Sequence, residues 1–173
     1  RQPFGRYLLN SVLVAAGSTL LAVAAGSLAA YALARRRFRR AALIERTLLG
    51  FALVPPAILI VPLFSSARAL GLVNSYAGLI IVHAALNLPF VIWSLASFFR
   101  ELPPELEDAA RVDGFSRFAI FWRIVLPCSG PAVAATAVLA FIFSWNEFVI
   151  ALTLLSSPSM RTVPVGISML SGA

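Results

Sequence analysis

The chain has 173 residues, 60% of them hydrophobic and 12% charged, with a net charge of +7 and a mean hydropathy of +0.91. Soluble domains average roughly 45–50% apolar and 25% charged residues, so this composition excludes an ordinary soluble domain and points to an integral membrane protein. Apolar runs of roughly 20 residues fit a helical bundle, because each helix satisfies its own backbone groups in lipid. The alternating polarity of a transmembrane barrel is absent. The expected fold is therefore all-α: a polytopic transmembrane helical bundle, with residues 1–173 as a single domain carrying four spans. All basic residues are arginines, and they cluster at the ends of the runs. That is the positive-inside pattern, and it calls for no nucleic-acid partner. Cys128 is the only cysteine, which leaves no disulfide framework and no Cys/His metal cluster.

Residues Arg1 to Tyr7 are a short approach. No signal peptide is read ahead of the first span, and a chain opening on Arg1 is read as a piece of a longer one. Asn10-Ser11 opens the first span, which runs to about Ala34. Ala22, Gly26 and Ala30 place small residues at i, i+4 and i+8, a spacing that lets another helix approach closely. Arg35, Arg36, Arg37, Arg39, Arg40 and Arg46 come next, a block expected to face the cytoplasm and able to attract anionic lipid.

The second span is expected from about Leu43 to Ala67. Pro55, Pro56 and Pro62 lie inside it and should kink or break it. Arg68 to Ser75, with Gly71 and Asn74, reads as a short turn. The third span runs from about Tyr76 to Phe99. It carries His83 and Asn87 one helical turn apart, either as glue between helices or as functional groups.

The longest polar interruption runs from Pro103 to Pro131. Pro103 and Pro104 suit a helix start. Glu105, Glu107 and Asp108 fall in the first turn, where the helix dipole favours carboxylates. Ala109 and Ala110 keep the helix thin, and Gly114 is the expected stop. Ser116 caps a second short helix whose Phe118, Phe121, Trp122 and Val125 take i, i+3, i+4, i+7 spacing, with Pro127 as its end. The fourth span is expected from about Pro131 to Leu155. It holds Ser144-Trp145-Asn146-Glu147-Phe148. A carboxylate between such flanks is costly unless it faces protein or water, so Asn146 and Glu147, with Asn87, are candidates for a polar cavity. The alternative places Trp145 and Glu147 in the outer headgroup belt.

The polar interruption resembles the "EAA" loop of permease subunits of ABC importers fed by a binding protein. The family pattern, E-A-A-x-x-D-G and then phenylalanine, isoleucine and prolines, stands here as Asp108-Ala109-Ala110-Arg111-Val112-Asp113-Gly114, then Phe118, Phe121, Ile124, Pro127 and Pro131. The leading glutamate is Asp108, which leaves open whether Glu107 or Asp108 makes the family's contact. Asn10-Ser11 and Trp145-Asn146-Glu147-Phe148 carry a finer resemblance to sugar permeases of the maltose type.

The resemblance implies a function. Such a subunit forms a translocation pathway for a mono- or oligosaccharide handed over by an extracytoplasmic solute-binding protein. It pairs with a second permease subunit, identical or different. It couples through Glu105, Glu107, Asp108, Ala109, Ala110, Asp113 and Gly114 to separate ATPase subunits, which carry the ATP and Mg. The chain itself is expected to be no enzyme, with no catalytic residue, no metal and no bound cofactor. It contains no G-x-x-x-x-G-K-[ST] phosphate loop. The expected location is the cytoplasmic membrane of a bacterium or archaeon, as a multi-pass protein. Six spans are usual in such permeases, which would put one before Arg1 and one after Ala173. Ten of the 14 arginines lie in Arg35–Arg46 and Arg100–Arg123, so the EAA loop is expected in the cytoplasm and both ends of the chain outside. Two other readings stay open: an ABC permease for an amino acid, phosphate ester or peptide, and a secondary transporter. The latter would call for ion-coupling carboxylates or paired broken helices in both halves.

Overall fold

The computed structural model describes residues 4–35 and 41–171, and every regular element among them is helical. Arg1, Arg36, Arg37, Arg39 and Arg40 lie outside the described residues, so Arg35 and Arg46 are what is placed of the arginine block. Helix α1 (Phe4–Arg35) has 32 residues, about 48 Å at 1.5 Å per residue, and begins six residues before the expected start. Helix α4 (Tyr76–Glu101) is the second unbroken helix long and apolar enough to cross a membrane. Two bent pairs bring the number of spans to as many as four.

Helices α1 and α4 run parallel, side by side. Asn10 meets Tyr76, Tyr31 meets Phe99, and Gly26 lies against Val91 between them. The small residues expected to permit close approach do so: Ala22 and Ala30 are fully buried in this seam. A Cβ on Gly26 would lie 2.6 Å from Val91 Cγ1. Helix α8 (Gly130–Asn146) runs antiparallel to both, with Ser144 bonded to Ser18 and Asn87, and Thr136 3.0 Å from Ser94.

The second span is broken rather than kinked. Helix α2 (Ala41–Ala52) stops, the chain passes through Pro55, and a single 3-10 turn (Pro56–Leu59) leads into α3 (Ile60–Ala69), with 92° between the two arms. Pro55 and Pro56 lack the N–H groups that would carry the helix across. The turn after α3 contains Gly71 and Asn74, both at positive φ. Asn74 then binds the far end of the chain, its Oδ1 accepting from the N–H of Ser156 and of Ser157. Ser75 caps α4, accepting from the Gly78 N–H at 3.0 Å.

The polar interruption opens as expected with α5 (Pro104–Val112), ends at Gly114 with φ +82°, and restarts at α6 (Arg117–Ile120) under the Ser116 cap. Beyond α6 the buried face differs from the expected one. Residues Phe121–Val125 form a π turn, whose extra residue per turn rotates the side chains. Ile120, Phe121 and Val125 are buried, whereas Phe118 and Trp122 are exposed. Pro127 does not end the helix either. It sits in the first turn of α7 (Leu126–Cys128), where a missing N–H is harmless, and the break comes at Ser129, with 79° to α8.

The fourth span is also interrupted. Helix α8 stops at Asn146, Glu147 and Phe148 break it, and α9 (Val149–Leu154) continues the chain. The tail forms a 3-10 turn (Pro158–Met160) and α10 (Val163–Ser171) beside the start of α1. Asn10 and Ser11 fasten it there: Asn10 Nδ2 donates to the carbonyls of Ser159 and Arg161, and Ser11 Oγ accepts from the Val163 N–H at 2.8 Å. The two ends of the described chain therefore lie at one end of the bundle, and α5 at the other.

The seam supplies a test. Gly26→Ile forces α1 off α4 and should destabilise the subunit by about 1–3 kcal/mol, read as a lowered unfolding midpoint in detergent. Gly50→Ala, where a Cβ meets nothing within 4 Å, should leave the midpoint unchanged or raise it slightly.

Candidate functional site

The candidate residues fall in two places: the acidic helix α5 and a cavity beside α4. In α5 the acids divide by facing. Glu105, Asp108 and Asp113 are exposed, as are Ala109 and Gly114, while Glu107 and Ala110 are buried. Asp108 accepts from Arg111 Nη1 at 2.6 Å across the helix surface. Glu107 turns inward instead. Its Oε1 accepts from Arg35 Nε at 2.5 Å and its Oε2 from the Tyr31 hydroxyl at 2.9 Å, with Arg111 Nη2 3.5 Å away. At 2% exposure it has no surface to offer a partner, so of the two acids left open by the sequence, Asp108 is the one that faces out. Leu106, Val112 and Phe118 are exposed along the same segment, Val112 to 88%, together with Arg111 and Arg117. The outward surface of this segment thus combines exposed acids with exposed apolar side chains.

Gly114 has nothing within 4 Å of an added Cβ. The demand for glycine there is conformational: φ +82° lies in the left-handed region, where a side chain is strained.

The cavity has a volume of about 690 Å³. It opens between the α2–α3 break at Pro55-Pro56, the face of α4 carrying His83, Asn87 and Phe90, and the α8–α9 break at Glu147. The α2–α3 and α8–α9 breaks thus lie at its wall, which is where unwound backbone is tolerated in a membrane protein, while the bend at Ser129 lies away from it. Asn87, Asn146 and Glu147, the three candidates from sequence, all line it. Their bonding differs. Asn87 is buried and donates from Nδ2 to Ser144 Oγ at 2.9 Å and to the Ala140 carbonyl at 3.2 Å, holding α4 on α8. Asn146 is exposed and donates back to the Ile142 carbonyl. Glu147 caps α9, its carboxylate accepting from the N–H groups of Ile150 and Ala151 at 3.0–3.1 Å.

His83 has a neighbour that its place in the sequence does not reveal. Its Nε2 lies 3.4 Å from Glu147 Oε2, although 64 positions separate them in the chain. The ring is 2% exposed, and neither nitrogen makes a hydrogen bond. Tyr31 is equally silent in the sequence, since a tyrosine near the end of an apolar helix carries no sign of a distant carboxylate. Arg35 signals topology there and nothing more. Among the described residues, no three His, Cys, Asp or Glu side chains converge as a metal site would require.

The chain has relatives. A sulfoquinovosyl glycerol transport system permease protein of Agrobacterium fabrum is 42% identical over 99% of this chain and 60% of its own length. A trehalose/maltose transport system permease protein of Thermococcus litoralis is 42% identical over 98% of this chain and 61% of its own. The chain spans about three-fifths of the length of these relatives. A putative ABC transporter permease protein of Streptomyces antibioticus is 40% identical over 99% of this chain and 75% of its own. The fold matches a chain in the crystal structure of a bacterial ABC transporter involved in the import of the acidic polysaccharide alginate, with a TM-score of 0.78 at 23% identity, over 99% of this chain and 59% of that one. Residues 22–171 match the model of one family, and with relatives at this identity over nearly its whole length the chain belongs to the binding-protein-dependent transport system inner membrane components.

Proposed function

We propose that this chain is part of the membrane-spanning permease subunit of an ATP-driven importer and lines the pathway for a sugar. The observation that carries the reading is the placement of two features on the same pair of helices. Helices α1 and α4 hold an acidic, outward-facing helix at one end and, along α4, a cavity bounded by two broken spans. The first feature suits docking of a partner and the second suits passage of a solute. Relatives named for trehalose, maltose and sulfoquinovosyl glycerol favour a sugar as that solute. So does the lining: carboxylate and carboxamide groups beside aromatic rings match a polyhydroxylated ligand with one apolar face.

In this reading the subunit catalyses no reaction. ATP and Mg sit on separate ATPase subunits, and Asp108, Glu105 and Asp113 pair with basic residues of one of them around an apolar contact at Val112 and Phe118. A solute-binding protein delivers the sugar at the opposite end, and a second permease subunit completes the pathway. The arginines at the α5 end favour the cytoplasm for that end, with anionic lipid headgroups around them. Closure of the ATPase dimer pushes α5, and the helices fused to it change the shape of the cavity.

Two substitutions test the two ends. Glu147→Leu removes the α9 cap, worth about 0.5–2 kcal/mol, and the one carboxylate in the cavity wall. Uptake of a panel of labelled mono- and disaccharides by the full-length complex should fall at least about tenfold, with Glu147→Gln intermediate because an amide oxygen still caps. Normal uptake with unchanged preference in Glu147→Leu would contradict the pathway assignment. At the other end, Gly114→Leu imposes strain of roughly 1–3 kcal/mol on the loop and none on the spans. The subunit should insert normally and lose co-purifying ATPase subunit, and Asp108→Ala should weaken the same interaction less. Full ATPase retention in Gly114→Leu would remove the docking role from α5.

A further inference from the structure

Glu107 is a buried carboxylate on a short surface helix, yet its hydrogen-bond donors come from a helix more than 70 positions earlier in the chain, with Arg111 of its own helix at 3.5 Å. Arg35 spans the joint twice. Its Nε donates to Glu107, and its Nη2 donates to the carbonyl of Leu102 at 3.2 Å, in the link between α4 and α5. Tyr31 adds its hydroxyl from one turn earlier on α1, and its ring packs on Phe99 of α4 and Phe121 of the π turn, with centroids 6.4 and 5.3 Å apart. One α1 turn thus reaches the acidic helix, the end of α4 and the segment after α6. Charged hydrogen bonds of this kind are short and directional, and breaking one side strands the other charge in a poor environment.

We infer that Tyr31, Arg35 and Glu107 form a clamp that makes α5 and the end of α1 one rigid body, with Glu107 a positioning residue rather than a docking acid. The outward acids meet the partner, and the inward acid passes the displacement to α1 and through the seam to α4. Transmission of motion in this way rests on the docking role of α5, whereas the rigidity of the joint does not. Glu107 and Asp108, adjacent in sequence, therefore differ in kind. Loss of Asp108 weakens ATPase binding, whereas loss of Glu107 leaves the ATPase bound to a helix that no longer moves α1.

The test is a distance measurement in the full-length subunit with its ATPase partner. Cys128 is replaced by serine, and spin labels are placed at Ala109 on α5 and Leu28 on α1, both exposed. In the parent protein the distance distribution should be narrow and the same without nucleotide and with ATP-vanadate. In Glu107→Ala it should broaden and change with nucleotide, while ATPase subunit still co-purifies. The double variant Arg35→Ala/Glu107→Ala guards against misfolding, because it leaves no stranded charge, and it should broaden as the single variant does. Glu107→Gln keeps one acceptor oxygen, enough for Arg35, and turns its amide N–H toward the Tyr31 hydroxyl oxygen, so it should restore part of the narrow distribution. A narrow, nucleotide-independent distance in the double variant would overturn the clamp. Failure of the parent subunit to retain ATPase would instead count against the docking role, and the clamp would still be decided by the label distance in the isolated subunit.

Discussion

The close parallel contact of α1 with α4 is what the remaining structure depends on. Within a bilayer, apolar side chains gain nothing by leaving lipid for protein, so helices are held by packing and by hydrogen bonds between them. Ala22, Gly26 and Ala30 supply the packing by removing side-chain bulk from one stripe of α1. Tyr76 with Asn10, and Ser144 with both Ser18 and Asn87, supply the hydrogen bonds. The parallel direction then settles the layout. It brings the C-terminal ends of α1 and α4 together, and there the chain attaches α5. It leaves the tail and the start of α1 at the opposite end.

Between those ends the bundle has two cores rather than one. Phe99, Phe121, Ile120 and Leu95 fill the first, beside α5, and Val14, Leu79, Ile150 and Leu154 fill the second, beside the tail. The cavity lies along α4 where the broken spans open. A straight helix across that region would satisfy its own backbone and leave little room. Pro55-Pro56 on one side and Glu147 on the other unwind the chain, and Glu147 offsets the loss by capping α9. The break and the polar wall are therefore one feature: the residue that interrupts the span also furnishes the cavity with its carboxylate.

Much of this layout is legible in the sequence because it depends on local rules. Small residues four apart, the Ser116 cap, the prolines at the start of α5 and a glycine at a left-handed stop act over a few residues, and each stands where the pattern places it. The EAA pattern identifies the family through the same short-range punctuation. The features that escape the sequence depend on geometry that no local rule carries. The π turn at Phe121–Val125 changes the helical period there, so the buried face is Ile120, Phe121 and Val125 while Phe118 and Trp122 are exposed. The fourth span reads as continuous because Glu147 resembles an isolated polar residue until its carboxylate is seen on the Ile150 N–H. The inward turn of Glu107, and the approach of His83 to Glu147, join positions too distant in the chain for spacing to reveal.

If the α5 face meets an ATPase subunit while the bundle wall meets lipid or another permease subunit, the two surfaces must differ in what they touch. A photo-crosslinking amino acid at Val112 reads this out, because that side chain is 88% exposed at the end of α5, between Asp108 and Asp113 in the chain. Leu20, 73% exposed on the flank of α1, serves as the comparison. In membranes containing the assembled transporter, the expected result is a crosslink from Val112 to the ATPase subunit and none from Leu20. A crosslink from Leu20 but not from Val112, or modification of a cysteine at Val112 by an impermeant reagent added outside intact cells, would contradict the docking of α5 on the ATPase.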